Sequence, residues 1–410
     1  MRICSIYRHY WPDTTPYARL LRTILEDRAR AGDQVDVLTG QPSYNDNDLP
    51  SQPHSETLGG VNIRRFRLLP ARKRDRVLRA GSLAWFLGRA TWSVVASQRP
   101  DLILVNCNPP IGMGVVVRTL HRWRGVPYIY HCEDIHPEAL LLAGQVHRGW
   151  FYRLLRAVDA KNCQSAAAVV VLSNDMLRTM RERGVPDDRL VVINNFPLDT
   201  YNESRQHTDL LADLPSNAFI VLFAGNIGNF QGLELLIEAA KRLGERTDIH
   251  FVFMGSGLAR DSLERDAGHL CGRTVHFVGQ HSVEVARAVM ARSGIGVVAL
   301  KPGVTRVAYP SKLMTYVASG CPVLALVEPD SAVATDVHDD DLGYVCGDRR
   351  PEAIAAAIEK AYGERARWDE KGREALQERA AARFGRAVAL AKWSSLLDRL
   401  VASGQIELSR

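Results

Sequence analysis

Three stretches of this chain place residues suited to binding an anion between an apolar run and a helical one. The first is "FIVLFAGNIGNFQGLELLIEAAKRL", residues 219–243. Gly225, Gly228 and Gly232 lie in the turn, and Leu233, Leu236, Ile237, Ala240 and Leu243 share one face of the helix that follows. Glycine permits positive φ and close approach of the backbone. A helix N-terminus offers free N–H groups and partial positive charge, which suit phosphate. Taken alone, this loop reads equally well as a tight turn without a ligand. Asn226, Asn229 and Gln231 would supply uncharged hydrogen bonds. The design recurs in "VFMGSGLARDSLE", 252–264, with Gly255, Ser256 and Gly257. The third stretch, "VALKPGVTRVAYPSKLMTYVASGCPVLA", 298–325, is more specific. Pro310 and Ser311 predict a helix start with Ser311 as its cap. Lys312 then falls in the first turn, where a cation opposes the helix dipole by about 0.3–1 kcal/mol unless an anion lies between them. A surface lysine is the alternative; the penalty favours a ligand phosphate. Lys301 and Arg306 on the preceding loop add charge, and Tyr309 and Thr315 stand beside them.

The N-terminal half carries polar groups just past two strand-like runs. "YIYHCEDIHPEALLLAG", 128–144, contains His131 and Asp134. A metal pair lacks an evident third ligand, and a structural hydrogen-bonded pair is possible. The position at the carboxyl end of a parallel strand favours a substrate-facing pair. "YRHYWPDTTPYARLL", 7–21, holds Trp11, Asp13, Thr14 and Thr15, which suit a hydroxylated acceptor. GxSxG, Walker A and HExxH patterns are absent, and residues 7–15 contain no GxGxxG, which argues against a dehydrogenase.

The elements that must position these groups are short apolar runs alternating with helical segments. Strands are expected at 2–7, 34–40, 62–66, 102–106, 127–132 and 167–173, then at 219–225, 249–255, 275–279, 295–300, 321–326 and 342–346. Continuous apolar strands separated by helices imply parallel sheets covered on both faces. Two such series predict an α/β protein of two doubly wound domains, 1–197 and 198–385, joined near 191–203, with a C-terminal helix at 386–410 that can return to the first domain. Ligands of open α/β sheets bind outside the strand carboxyl ends, which predicts a site in the cleft between the domains.

With 410 residues, 46% hydrophobic and 24% charged, the chain reads as an ordinary globular protein of two domains. Its seven scattered cysteines predict a reducing cytoplasm, and neither a signal peptide nor a membrane-spanning run is expected. The net charge of +6 is uneven: residues 1–195 carry 27 Lys and Arg against 18 Asp and Glu. Much of the excess lies in "RRFRLLPARKRDRVLR", 64–79. A solvated face accounts for it; the sharper expectation is that Arg72, Lys73, Arg74 and Arg76 meet anionic lipid headgroups. Residues 83–95 read as a core helix. Nucleic acid is not expected, since no basic stripe is interleaved with stacking aromatics.

At these loops the chain resembles the two-domain GT-B glycosyltransferases of family 4, and within them the bacterial exopolysaccharide and O-antigen branch. The resemblance rests on "HCEDIHPE" at 131–138, "VVVLSNDM" at 169–176, "VVINNFPLD" at 191–199, "FAGNIGNFQGLELLIEAA" at 223–240, "GSGLARDSLE" at 255–264 and "YPSKLMTYVASGCPVLA" at 309–325. It implies a nucleotide-diphosphate sugar, with UDP or GDP as nucleotide, bound by the C-terminal domain. It further implies a saccharide or polyprenyl-linked acceptor on the N-terminal domain, and transfer with retained configuration and no metal. The protein would then be peripheral on the inner face of the plasma membrane. The chain departs from the family at the diphosphate-binding Arg and Lys, which read Asn226 and Gln231. It departs again at the paired glutamates, which fall near Val307 and at Thr315. Diphosphate binding therefore shifts to Lys312, Arg306, Lys301 and the helix amides. A sugar-nucleotide epimerase on the same fold and a non-catalytic nucleotide-sugar-binding subunit are the alternatives.

Overall fold

The structure, a computed structural model, describes residues 1–410 apart from 14, 43–49, 69–75, 198–209, 213, 229–230, 245, 407 and 409–410, and apart from the side chains of 76 and 77. Thr14, Asn229, Arg72, Lys73, Arg74 and the side chain of Arg76 thus lie outside the described residues.

Two units emerge, residues 1–198 with 389–410, and residues 199–388. The first contains β1 (Arg2–Ile6), α1 (Pro16–Arg30), β2 (Gln34–Gly40), β3 (Ser55–Leu58), β4 (Val61–Phe66), α2 (Arg76–Ala96), β5 (Leu102–Asn106), α3 (Gly112–Arg124), β6 (Tyr128–Cys132), α4 (Glu138–Leu142), α5 (Trp150–Gln164), β7 (Ala168–Val171), α6 (Asn174–Glu182) and β8 (Leu190–Val192). The second contains β9 (Phe219–Ala224), α7 (Glu234–Arg242), β10 (Ile249–Met254), α8 (Arg260–Ala267), β11 (Val275–Val278), α9 (Val283–Arg292), β12 (Ile295–Ala299), α10 (Ser311–Ala318), β13 (Val323–Leu326), α11 (Ala332–Asp339), β14 (Gly343–Val345), α12 (Pro351–Gly363) and α13 (Glu370–Phe384). The last helix, α14 (Arg386–Ala402), carries the chain back to the first unit.

The first sheet has the order β3-β4-β2-β1-β5-β6-β7-β8 and the second β11-β10-β9-β12-β13-β14. Every expected strand is present. All pairings are parallel except β3 with β4. That antiparallel edge was not expected: "SETL" is polar, because an edge strand needs no apolar run to bury. β8, three residues long, is too short to stand out.

In the first unit, strand alternation sends Ile129 and His131 to one face and Tyr128 and Tyr130 to the other. The first face packs Tyr17, Leu21 and Ile24 of α1 with Trp393, Leu397 and Leu400 of α14. Thr15 caps α1 by accepting from the Ala18 amide at 3.1 Å, and Pro16 occupies its first position. The second face carries α2, α3 and α5. Arg183, fully buried, ties this layer to the loop after β6: it donates to Asp159 at 2.6 Å, to Glu138, and to the His136 carbonyl at 2.7 Å.

Candidate functional site

In the second unit the glycine loops gather at the carboxyl ends of β9, β10 and β12. β12 lies beside β9, although it follows β11 in the chain, so the sheet's switch point falls between the loops after β9 and β12. Main-chain bonds strap the first two loops together: the Ile227 amide donates to the Ser256 carbonyl at 2.8 Å, and the Ala259 amide to the Ile227 carbonyl at 3.1 Å. This packing requires glycine. Gly255 has φ 137°, and a β-carbon there would stand 2.0 Å from the Gly225 carbonyl oxygen; on Gly257 it would stand 2.2 Å from that of Ile227. Gly225, Asn226, Ser256 and Gly257 remain exposed. The Gln231 side-chain oxygen is buried without a hydrogen-bond partner among the described residues.

Lys312 lies across the first of these loops. A β-carbon on Gly225, itself at φ 130°, would come within 2.5 Å of Lys312 Cε, and the ammonium sits 3.8 Å from the centre of the Phe223 ring. The anchor is Tyr316, one turn along the same helix. Its buried hydroxyl accepts from the Ala224 amide at 2.7 Å and donates to the Leu222 carbonyl at 3.3 Å. Removal from water pushes the Lys312 pKa down to about 7, although part of the residue reaches solvent. Lys312 is therefore half-buried over this loop, not the open surface lysine that was the alternative. Ser311 is not the helix cap: it is the first helical residue, Pro310 holds the cap position, and no side chain caps α10. Thr315 turns its hydroxyl back to the Ser311 carbonyl at 3.2 Å.

Other expected donor contacts are placed less directly. Arg306 is exposed on the loop before α10. Lys301 lies 3.7 Å from Glu234. Tyr309 is buried, and its hydroxyl donates to Asp336 at 2.6 Å, so it braces α11 rather than the loops. Arg349 was not foreseen. It donates to the Leu300 carbonyl at 2.6 Å, and a β-carbon on Gly232 would lie 2.7 Å from its guanidinium. A lone arginine beyond β14 gives no sequence signal. Phe223 and Tyr316 read as ordinary core residues for the same reason.

In the first unit His131 and Asp134 do not pair. His131 is buried among Tyr17, whose hydroxyl is 3.3 Å from Nδ1, and Trp393, whose ring centre is 5.2 Å from its own. Its acidic neighbour is Glu133, with Oε1 3.3 Å from Nε2, a close contact whose geometry is not that of a hydrogen bond. The two-residue period of an extended chain puts 131 and 133 on one side and 134 on the other, and Asp134 is exposed. Burial holds His131 neutral, its pKa pushed down to about 3, and raises the Glu133 carboxyl to about 7 even though Asn195 donates to it at 2.8 Å. The expected acceptor loop is also internally committed. Asp13 is buried against His9 Nδ1 at 2.8 Å, and Thr15 is the cap of α1. Trp11 packs its ring beneath the Arg22 guanidinium at 4.4 Å.

Residues 17–195 match the family described as Glycosyl transferase 4-like domain, and residues 218–364 that described as Glycosyl transferases group 1. WcaI of Escherichia coli, a protein named for colanic acid biosynthesis, is 26% identical over 360 residues, 84% of this chain and 86% of its own. WbjE of Pseudomonas aeruginosa, named as a glycosyltransferase, is 26% identical over 300 residues, 71% of this chain and 74% of its own. Among solved structures, sucrose-phosphate synthase from Thermosynechococcus elongatus superposes with a TM-score of 0.74 at 19% identity, covering 98% of this chain and 99% of that one. HepE from Anabaena, solved with UDP, gives 0.70 at 17% identity, covering 98% and 100%. With its two open α/β units and its glycine loops at the strand ends, the chain belongs to the GT-B glycosyltransferases of family 4.

Proposed function

We propose that this protein moves a sugar from a nucleotide-diphosphate sugar to a saccharide acceptor carried by a lipid, retaining the anomeric configuration and using no metal. The observation that carries the reading is Lys312 lying across Gly225 at the first turn of α10, where backbone and cation converge on one open surface. The diphosphate, of UDP or GDP, would rest on the loops 225–228 and 255–257 and the α10 amides, with Arg306 and Lys301 in support. The UDP held by HepE supports the uridine nucleotide.

In the transfer, the bond from the sugar's anomeric carbon to the diphosphate breaks and a bond to an acceptor hydroxyl oxygen forms on the same face. The hydroxyl proton leaves to a base, and the diphosphate departs with added negative charge. Fixed amides and Lys312 aimed at that charge stabilise the transition state without reorganisation. Asp134, exposed beyond β6, faces the acceptor. His131 holds Glu133 in place as a neutral partner.

The test supplies donor with a saccharide acceptor and follows both nucleoside diphosphate release and the anomeric proton signals of the product. Retained configuration, unaffected by a chelator, is expected. The variant His131→Ala should lose turnover far more than donor affinity. An inverted product would refute the retaining step, and wild-type turnover in the variant would remove His131 from the reaction.

A further inference from the structure

On the first unit, α2, α3 and α5 form one layer. Arg124 of α3 donates to the Val95 carbonyl of α2 at 2.7 Å, Arg118 of α3 to the Val158 carbonyl of α5 at 3.4 Å, and Asn162 of α5 to the Ile111 carbonyl at 3.2 Å. The inward side of α2 is ordinary: Phe86, Ala90 and Val94 are buried. The outward side of the layer is not. Trp92, Trp123 and Trp150 are 65%, 69% and 76% exposed, and Trp85, Phe151 and Leu154 lie open beside them on the same helices. Four of the seven tryptophans in the chain are thus on this one surface. Scattered apolar residues are normal on a protein surface; a concentration of large ones marks a partner.

The charge on the layer says which partner. Neither α2 nor α3 contains an acidic residue, and the single carboxylate of α5, Asp159, is buried against Arg183. Arg79, Arg89, Arg122 and Arg153 are exposed on the same three helices, and Arg148 lies just before α5. Tryptophan beside arginine, with no competing acid, fits the boundary between headgroups and acyl chains of an anionic bilayer, where indole is enriched and arginine meets phosphate. No helix among the described residues is long and apolar enough to cross a membrane, so this contact would lie on the surface. We propose that the outer face of α2, α3 and α5 is a docking surface for an anionic lipid bilayer. It deepens the reading of a lipid-carried acceptor and rests on that reading for its purpose, while the binding itself requires neither donor nor transfer.

The test measures sedimentation of the full chain with phosphatidylglycerol vesicles and with neutral phosphatidylcholine vesicles. Binding to the anionic vesicles that weakens as salt rises is expected. Arg122→Ser and Arg153→Ser should each lower partitioning about fivefold, since one cation at such a surface is worth about 1 kcal/mol. The triple variant Trp92→Ser, Trp123→Ser, Trp150→Ser should lower it more than about tenfold through lost apolar burial. Its far-ultraviolet circular dichroism melt and its nucleotide affinity should be unchanged, because these side chains touch neither core nor donor loops. A measurement needing no variant is quenching of wild-type tryptophan emission by brominated phosphatidylglycerol, which should exceed that by a brominated neutral lipid. Unchanged partitioning of the triple variant overturns the proposal. So does release of the protein by replacing only Arg72, Lys73 and Arg74, which precede α2, or a wild-type dimer in sedimentation velocity that the triple variant abolishes. Partitioning is read apart from catalysis: a chain that binds vesicles but transfers no sugar would refute the transferase reading and leave the surface standing.

Discussion

Lys312 and Glu133 sit where their protonation states respond to what binds or unfolds. Free Lys312 gives up its proton near pH 7 because the ammonium is drawn out of water against Phe223. A bound diphosphate restores the charge and raises that pKa. Donor affinity is therefore greatest below pH 7 and falls, by up to about tenfold per pH unit, as pH rises past it. Calorimetric titration with a nucleotide sugar between pH 6 and 9 checks this, and Lys312→Arg, which stays charged, should flatten the profile. At pH 6 Lys312→Ala should cost about 1.5–3 kcal/mol of binding, as for a charge-assisted hydrogen bond; a flat wild-type profile would remove the diphosphate from this lysine. Glu133 is shifted the other way, upward from its ordinary value, yet its effect is also lost as pH rises. Its folded pKa of about 7 lies above the ordinary value, so its contribution to stability is full in acid and is lost as pH rises toward and through 7. Glu133→Gln should thus gain stability relative to wild type between pH 5 and pH 8 in thermal melts. An equal difference at both values would mean that Glu133 ionises normally.

At the scale of elements, the glycine loops proposed to hold the donor depend on close backbone contact more than on side chains. Gly255→Ala must open the strap between the loops after β9 and β10, since its β-carbon would meet the Gly225 carbonyl oxygen. The expected result is a loss of about 1–3 kcal/mol of stability in urea titration, with donor affinity down more than tenfold. A variant that binds donor normally would show that the strap is not part of the site. The three turns were legible as glycine-rich strand-to-helix connections because glycine at such positions has few other uses. Which atoms the glycines make room for was not legible. Lys312 over Gly225, and one loop's carbonyl against the next loop's glycine, are contacts between stretches far apart in sequence.

Across the whole molecule, two units each enclose a core, so heating should give two calorimetric transitions. Nucleotide at 100 times its dissociation constant should stabilise the second unit by about 2.7 kcal/mol and leave the first in place. Trp393→Ala, in the helix that completes the first core, should cost about 3–5 kcal/mol there. A single transition shifted by both changes would mean that the units unfold as one.

Periodicity alone located the long parallel strands of both sheets, because a strand buried on both faces must be apolar along its length, while the polar edge strand β3 and the three-residue β8 went unseen. The positions of Gly225, Gly255 and Lys312 likewise marked the surface proposed for a phosphate, on elementary grounds of backbone freedom and helix charge. Only the tertiary structure decided which side chains reach it. His131, read as half of a pair with Asp134, proved to be a buried partner of Glu133, Tyr17 and Trp393. Its ring contact with Trp393 joins residues 262 positions apart, beyond the reach of any local pattern. The basic segment 64–79 likewise divided: Arg65 is buried, with Glu56 at 2.6 Å and the Trp11 carbonyl at 2.8 Å, while the tryptophans of α2, α3 and α5 face outward. Composition counts charges and rings, but whether each is spent inside or shown to a partner depends on which elements the fold packs against it.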